Sequence, residues 1–334
     1  MNPDIYTIAK RLSPHQVESV TELQKGGNSR IYKVLTNKGV YALKRYPLPS
    51  AKDPRDRLHT ETLALQYMRK HGIKNIPEVI AKDPEQAYSL LNWIDGDAVT
   101  QINDNDIISF AQFLSKLAEM SGTATEENMP YASEACVSGS MILQHIEQRM
   151  EKLEKAACEH TELEEFLSRI LKPYIQGATD RARNFYSKHN LSFNKDIDRK
   201  FQVLIPSDFG GHNALRSAGG LYFLDFEYFG WDDPVTSTAN FLLHPAMSLS
   251  EHQKQQFLTL MEKLFIKSDP LYAERLTALL PLYAARMCNI ILGEFIPERF
   301  AHRVQSGQYK VEDKQSILSG QLAKAKKLIK LSLI

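Results

Sequence analysis

The sequence predicts an α+β chain of two unequal parts: a β-rich N-terminal lobe with one main helix, and a larger, mostly helical C-terminal lobe. Three observations predict it. Residues 17–46 carry three short strand patterns broken by glycine turns. The order strand, strand, strand, helix, strand, strand then closes near Asp95-Gly96-Asp97. Beyond that point, apolar residues recur mainly at helical spacing. At 334 residues the length suits two lobes, and the division is expected between residues 1–95 and 96–334.

The strands come first. Residues 17–23 and 29–35 are separated by Gln24-Lys25-Gly26-Gly27-Asn28, and Thr36-Asn37-Lys38-Gly39 is a hairpin signal in which glycine supplies a positive φ. Residues 40–46 form a third strand, stopped by Pro47 and Pro49. Asp53-Pro54 offers an N-cap and a first-turn proline for a helix running to Lys70, with Gly72 as its stop. Strands over 77–81 and 87–94 flank the turn Asp83-Pro84-Glu85-Gln86.

Helices are expected over residues 103–120, 138–157 and 161–188, with Pro173 kinking or splitting the last. A β-rich island interrupts them, with strands over 201–205, 213–216 and 221–226. Helices resume at Pro234. The tail places Leu318, Leu322 and Ile329 on one face, which suits a helix docked on the body of the chain more than one lying on an acidic membrane. Residues 121–133, with Gly122 and Pro130, read as an exposed loop.

Composition excludes several classes. Lys plus Arg is 41 and Asp plus Glu is 40, a net charge of +1 that leaves no electrostatic footprint for nucleic acid. No apolar run is read as approaching the roughly 18 residues that span a bilayer, and no secretory signal is visible. Cys136, Cys158 and Cys288 are odd in number, far apart and without C-x-x-C spacing, so neither a disulfide framework nor a zinc site is expected. A cytoplasmic protein follows by elimination. The signatures of Walker-type NTPases, Rossmann enzymes, zincins and α/β-hydrolases are missing.

The chemistry is concentrated in a few places. Ser207-Asp208-Phe209-Gly210-Gly211-His212-Asn213 puts an acid and an amide five positions apart across a glycine-rich loop, and Leu224-Asp225-Phe226-Glu227 adds a second acid at the end of an apolar strand. If the strands pair, one acid can orient an attacking hydroxyl while the amide and the second acid hold Mg²⁺ through hard oxygens. Upstream, Gly26-Gly27-Asn28-Ser29 can lay N–H groups over phosphates. Lys44 sits in the apolar strand Tyr41-Ala42-Leu43-Lys44 and needs a partner or ligand; Glu61 on the next helix can supply it. Such a Lys–Glu pair positions ATP phosphates in protein-kinase-like folds. Each piece alone has a plain structural reading, as a turn, a cap or a snorkelling lysine. Their order along the chain carries the functional one.

In that order the chain resembles the aminoglycoside phosphotransferase and choline kinase family of small-molecule kinases, over nearly its whole length. Residues 207–213 resemble the family's catalytic loop, Leu224-Asp225-Phe226 its metal-binding segment, and Gly230-Trp231-Asp232-Asp233-Pro234 the stretch that follows. The resemblance implies a protein-kinase-like bilobal fold, with ATP and Mg²⁺ as cofactors. It implies Asp208 as catalytic base, and Asn213 and Asp225 as metal ligands. Lys44 would meet the ATP phosphates with Glu61 orienting it, and residues 90–93, including Leu91 and Trp93, would border the adenine. Glu227, two residues after Asp225 on the same strand face, and Asp232 are candidates for an acceptor or second-metal role. The chain departs from the family where Pro206 replaces a His two residues before the expected base and Gly210 replaces one two residues after it.

The expected reaction moves the γ-phosphoryl group of ATP to a hydroxyl of a small molecule: an aminoglycoside, an amino alcohol such as choline, or a sugar. A non-catalytic, kinase-like nucleotide-binding or scaffold protein is the rival. A homodimer is left open. The acids Glu227, Asp232 and Asp233 would suit a cationic acceptor, while a neutral sugar fits equally well. The remaining histidines, including His145 and His244, lack paired metal spacing and read as surface or packing residues.

Overall fold

The computed structural model describes residues 4–25, 29–51, 53–124 and 129–331. Five antiparallel strands form the N-terminal sheet: β1 (Val17–Lys25), β2 (Arg30–Thr36), β3 (Gly39–Arg45), β4 (Val79–Asp83) and β5 (Tyr88–Asn92), in spatial order β1-β2-β3-β5-β4. β3 is therefore central, with Lys44 opposite Ile31 on one side and Ser89 on the other. A helix the sequence pattern did not announce, α1 (Ile5–Leu12), covers one face of the sheet. It buries Ile8 and Ala9 against Val17, Val34, Leu43 and Leu90, and Tyr6 donates to the Val17 carbonyl at 2.9 Å.

The other face receives α2 (Arg57–Lys70). Its N-cap is Asp56, whose carboxylate accepts from His59 N at 2.9 Å, and not the expected Asp53. Asp53 is instead engaged by Arg55 and Arg57, with the Arg55 hydrogen bond foremost in pulling its carboxyl down to about 2.

After the short β6 (Asp97–Ala98) the chain becomes helical: α3 (Asp104–Ser121), α4 (Gly139–Ala157), α5 (Thr161–Phe166) and α6 (Lys172–Lys188). A capping box between Asn103 and Asp106 starts α3. Pro173 falls in the first turn of α6, and a π-helical turn over Leu167–Leu171 carries the chain from α5 into it without a break. The segment predicted as an exposed loop is mixed where it is described: Gly122, Thr123, Pro130 and Tyr131 are exposed, while Ser121, Ala124, Met129 and Ala132 are buried. They line the β-island, because Tyr131 bridges Trp231.

The island holds β7 (Val203–Ile205), β8 (Ala214–Ser217), β9 (Gly220–Phe223) and β10 (Gly230–Asp232); β10 pairs with β7, and β8 lies between β6 and β9. Gly230 is required by close approach, since a Cβ there would sit 2.5 Å from the Pro130 carbonyl oxygen. The helices α7 (Pro234–Leu243), α8 (Glu251–Phe265), α9 (Tyr272–Leu292), α10 (Pro297–Gln305) and α11 (Lys314–Leu331) complete the chain. Residues Tyr272–Phe295 are long and apolar enough to span a bilayer, contrary to the expectation that no run approached this, but 78% of the window is buried within the fold. α11 docks on the body of the chain, burying Leu318, Leu322, Ala325 and Ile329.

One aromatic cluster links the core to the island. Phe113 on α3 stacks on Phe209 at 5.5 Å and meets Phe226 at 6.0 Å. These rings are the immediate chain neighbours of Asp208 and Asp225. Burying them fixes where both acids emerge.

Candidate active site

Lys44 is 4% exposed, yet it carries a charge among three carboxylates. Its Nζ donates to Glu61 Oε2 and to Asp225 Oδ1, both at 2.6 Å, and lies 3.7 Å from Glu227 Oε2. Burial alone would lower the ammonium's pKa; Asp225 and Glu61 outweigh it and hold Lys44 well above its ordinary value. Glu61, 1% exposed on α2, is pushed the other way: burial raises its carboxyl above the usual range despite Lys44. Glu61 Oε1 also accepts from Phe226 N at 3.2 Å, tying α2 to the segment that carries Asp225.

β9 ends at Phe223, before the expected strand end, because Asp225 adopts a left-handed conformation with φ 65°. This turns the chain out of the sheet. Glu227 therefore does not share a strand face with Asp225; it is 3% exposed and faces inward. Its Oε2 accepts from Ser29 Oγ at 2.8 Å and its Oε1 from Arg57 Nη1 at 3.3 Å. The hydroxyl of Ser29, just before β2, is thus tied to Glu227. Gly26, Gly27 and Asn28, the other predicted phosphate-loop residues, lie outside the described residues.

Asp208 sits in the loop after β7, preceded by Ser207, which is also left-handed at φ 64° and donates to the Tyr228 carbonyl at 3.0 Å. Two left-handed non-glycine residues in one site are costly, at about 1–3 kcal/mol each, and such positions cluster at functional sites. The Asp208 side chain is 42% exposed. His212 Nε2 bonds its Oδ1 at 2.8 Å, and His244 stacks on His212 at 4.3 Å. Burial would raise the Asp208 carboxyl, but the His212 hydrogen bond and charge hold it below the ordinary value. Asn213 donates from Nδ2 to the Asp208 backbone carbonyl at 2.9 Å, and the Asn213 backbone carbonyl accepts from Leu224 N at 2.9 Å. Asn213 thus joins the Asp208 loop, through its side-chain nitrogen, to the residue before Asp225, through its backbone.

The remaining predicted residues fall elsewhere. Leu91 is buried on β5 opposite Ala42. Trp93 follows β5, donating to Asp95 Oδ1 at 2.7 Å with Lys33 over its ring. Asp232 is 1% exposed, and its Oδ1 accepts from Cys136 N, Asp233 N and Thr236 Oγ1. Asp233 caps α7 and contacts Arg275. Asp232 thus spends Oδ1 on three donors of the fold, and Asp233 is engaged by the start of α7 and by Arg275. Sequence reasoning missed His212 and His244 as partners of Asp208. The spacing of His212, four residues after Asp208, was the available signal; His244 enters only through tertiary packing.

The carboxylate oxygens of Glu61, Asp225 and Glu227 lie within 4.8 Å of one another. With Asn213 nearby, the donors are all hard oxygens, and Asp225 is 36% exposed. That set fits Mg²⁺ and not a thiolate- or imidazole-seeking metal.

A five-stranded sheet with a Lys–Glu pair, a larger helical part and an Asp208 loop define a protein-kinase-like fold. The chain belongs to the phosphotransferase enzyme family, whose model matches residues 19–260. Among solved structures it is similar to choline kinase from Cryptosporidium parvum, at 12% identity and TM-score 0.61, covering 99% of this chain and 97% of that one. It is similar to a spectinomycin phosphotransferase solved with ADP and spectinomycin, at 13% identity and TM-score 0.61, covering 100% of this chain and 98% of that one. A choline/ethanolamine kinase family protein from Mesorhizobium loti matches at 15% identity and TM-score 0.56, over 93% of this chain and 88% of that one. Among curated proteins no sequence match is found.

Proposed function

We propose that this protein transfers the γ-phosphoryl group of ATP to a hydroxyl of a small molecule. The convergence of Lys44 with Glu61 and Asp225 beside the Asp208 loop carries this reading. In it, residues 1–95 supply most of the nucleotide site and residues 96–334 the acceptor side, with Leu91 and Trp93 bordering the adenine. Lys44 turns toward the phosphates, held in place by Glu61. Asp208, already ionised, accepts the hydroxyl proton of the acceptor and orients its oxygen. Ser29 offers its hydroxyl to the phosphates. Asn213 and Asp225 would hold Mg²⁺, which when bound neutralises charge on the phosphates.

Two family histidines are replaced, but His212 reaches the Asp208 carboxylate from a different loop position. That contact favours catalysis over a scaffold role. Thermal stabilisation by ATP with Mg²⁺, followed by ATP consumption across a panel of acceptors, tests the reading. Stabilisation with turnover supports it. Stabilisation without turnover on any acceptor supports the scaffold, and no stabilisation contradicts both.

A further inference from the structure

Beside Asp208 lies a cavity of about 540 Å³. Six arginines line it: Arg55, Arg57, Arg149, Arg286, Arg299 and Arg303. Its carboxylates are Glu134, Asp208 and Asp232. Asp208 is the base in the reading above, and Asp232 is buried on donors of its own. Among the described residues that leaves Glu134, whose Oε2 is shared by Arg149 at 2.6 Å and Arg286 at 3.0 Å. The other guanidiniums are backed from outside the cavity. Asp53 takes Arg55 and Arg57, and Glu294 takes Arg299 and Arg303. Glu134, Asp53 and Glu294 thus each serve two guanidiniums, with Arg57 also reaching Glu227 at 3.3 Å, and each guanidinium has five N–H donors to place.

Arg286 is the most telling of the six. It is 5% exposed on α9, and its Nε has no hydrogen-bond partner among the described residues. Its Nη2 bonds Glu134 Oε2 at 3.0 Å and its Nη1 bonds Asn240 Oδ1 at 3.4 Å, which fixes the guanidinium at the cavity from two sides. The planar fork of arginine matches an oxyanion bidentately. A cationic acceptor, by contrast, would meet six guanidiniums against three carboxylates among the described residues of the lining, each already partly engaged by a neighbour.

Resting on the phosphotransferase reading, we propose that the acceptor is itself an anion: a sugar-sized hydroxyl compound bearing a phosphate or carboxylate group, held by Arg286 and Arg149. The acceptor oxygen forms a bond to the γ-phosphorus as the bond from that phosphorus to the β–γ bridging oxygen breaks. ADP leaves with the bonding pair, and the hydroxyl proton passes to Asp208 and then to water.

The test is ADP release at fixed ATP and Mg²⁺ with a neutral hexose, its phosphate monoester, its uronic acid, choline and an aminoglycoside. An anionic acceptor is expected to exceed its neutral parent at least about tenfold in kcat/KM, and the phosphate and carboxylate arms identify the oxyanion. Arg286→Gln is expected to raise its KM roughly ten- to a hundredfold while leaving the KM for ATP within about twofold. Arg149→Gln, at a more exposed guanidinium, gives the same reading if the first variant folds poorly. Best turnover of choline, the aminoglycoside or the neutral hexose overturns the inference and leaves phosphoryl transfer standing. Failure to bind ATP with Mg²⁺ overturns the reading beneath it. So does ATP binding with no turnover of any acceptor and no stabilisation of the protein by the anions alone.

Discussion

Lys44 Nζ lies 2.6 Å from Asp225 Oδ1, across 181 positions of sequence. The contact joins the central strand of the sheet to the segment after β9, and Glu61 shares the same ammonium at 2.6 Å. One cation therefore offsets more than one carboxylate, in a site where Glu61 cannot reach water.

Removing that cation should expose the imbalance. Lys44→Met is expected to destabilise the protein by about 3–5 kcal/mol in guanidinium unfolding, because it leaves Glu61 buried and unpaired. Adding Glu61→Gln should recover part of the stability without recovering activity. Equal stability of Lys44→Met and the parent would show that the pair is not an electrostatic unit.

The aromatic post at Phe113 should matter to both stability and chemistry. It is 2% exposed and touches the chain neighbours of Asp208 and Asp225. Phe113→Ala is expected to cost about 3–5 kcal/mol. At a temperature where the variant is folded, kcat should fall more than the KM for ATP rises, since the acids move relative to each other. An unchanged kcat would mean that backbone strain at Ser207 and Asp225 positions them without the ring.

His212 should set the acidic limb of the rate profile. Its hydrogen bond helps hold the Asp208 carboxyl below the ordinary 3.8. In His212→Gln the limb in kcat/KM is expected to move to higher pH, with nucleotide binding retained. A limb that stays in place would assign His212 to packing alone.

Two half-buried imidazoles should make the fold acid-sensitive. His145 and His244 are each held down to about 4, foremost by burial, with Arg286 adding to the first and His212 to the second. A folded-state pKa below the ordinary 6.5 means the unfolded chain takes up protons first as pH falls. Stability is thus full above pH 6.5 and lost progressively toward pH 4. His145→Gln with His244→Gln should flatten that slope, by at least about 1 kcal/mol between the two ends. An unaltered slope would place the titration elsewhere.

Much of this was legible in the chain because its signals are local. Glycine turns and alternation placed the strands, and the order Lys44, Glu61, Asp208, Asn213, Asp225 carried the site. What escaped depends on tertiary contact. α1 is short and its apolar face shows only against the sheet. β9 ends early because Asp225 is left-handed, a conformation that an apolar run ahead of it conceals. Asp232 and Asp233 look like free acids in sequence, and only packing supplies Cys136 N, Thr236 and Arg275. The arginines come from four separate stretches, so the cationic cavity is invisible in a chain whose net charge is +1.

The central claim is phosphoryl transfer with Asp208 as base. Its most direct test is single-turnover transfer from γ-labelled ATP, with Mg²⁺ and acceptor, comparing the parent with Asp208→Asn at equal nucleotide occupancy. Labelled acceptor is expected from the parent, formed at least about a hundredfold more slowly by the variant. Equal rates in the two proteins, or ATP bound by the parent and never consumed, would contradict it.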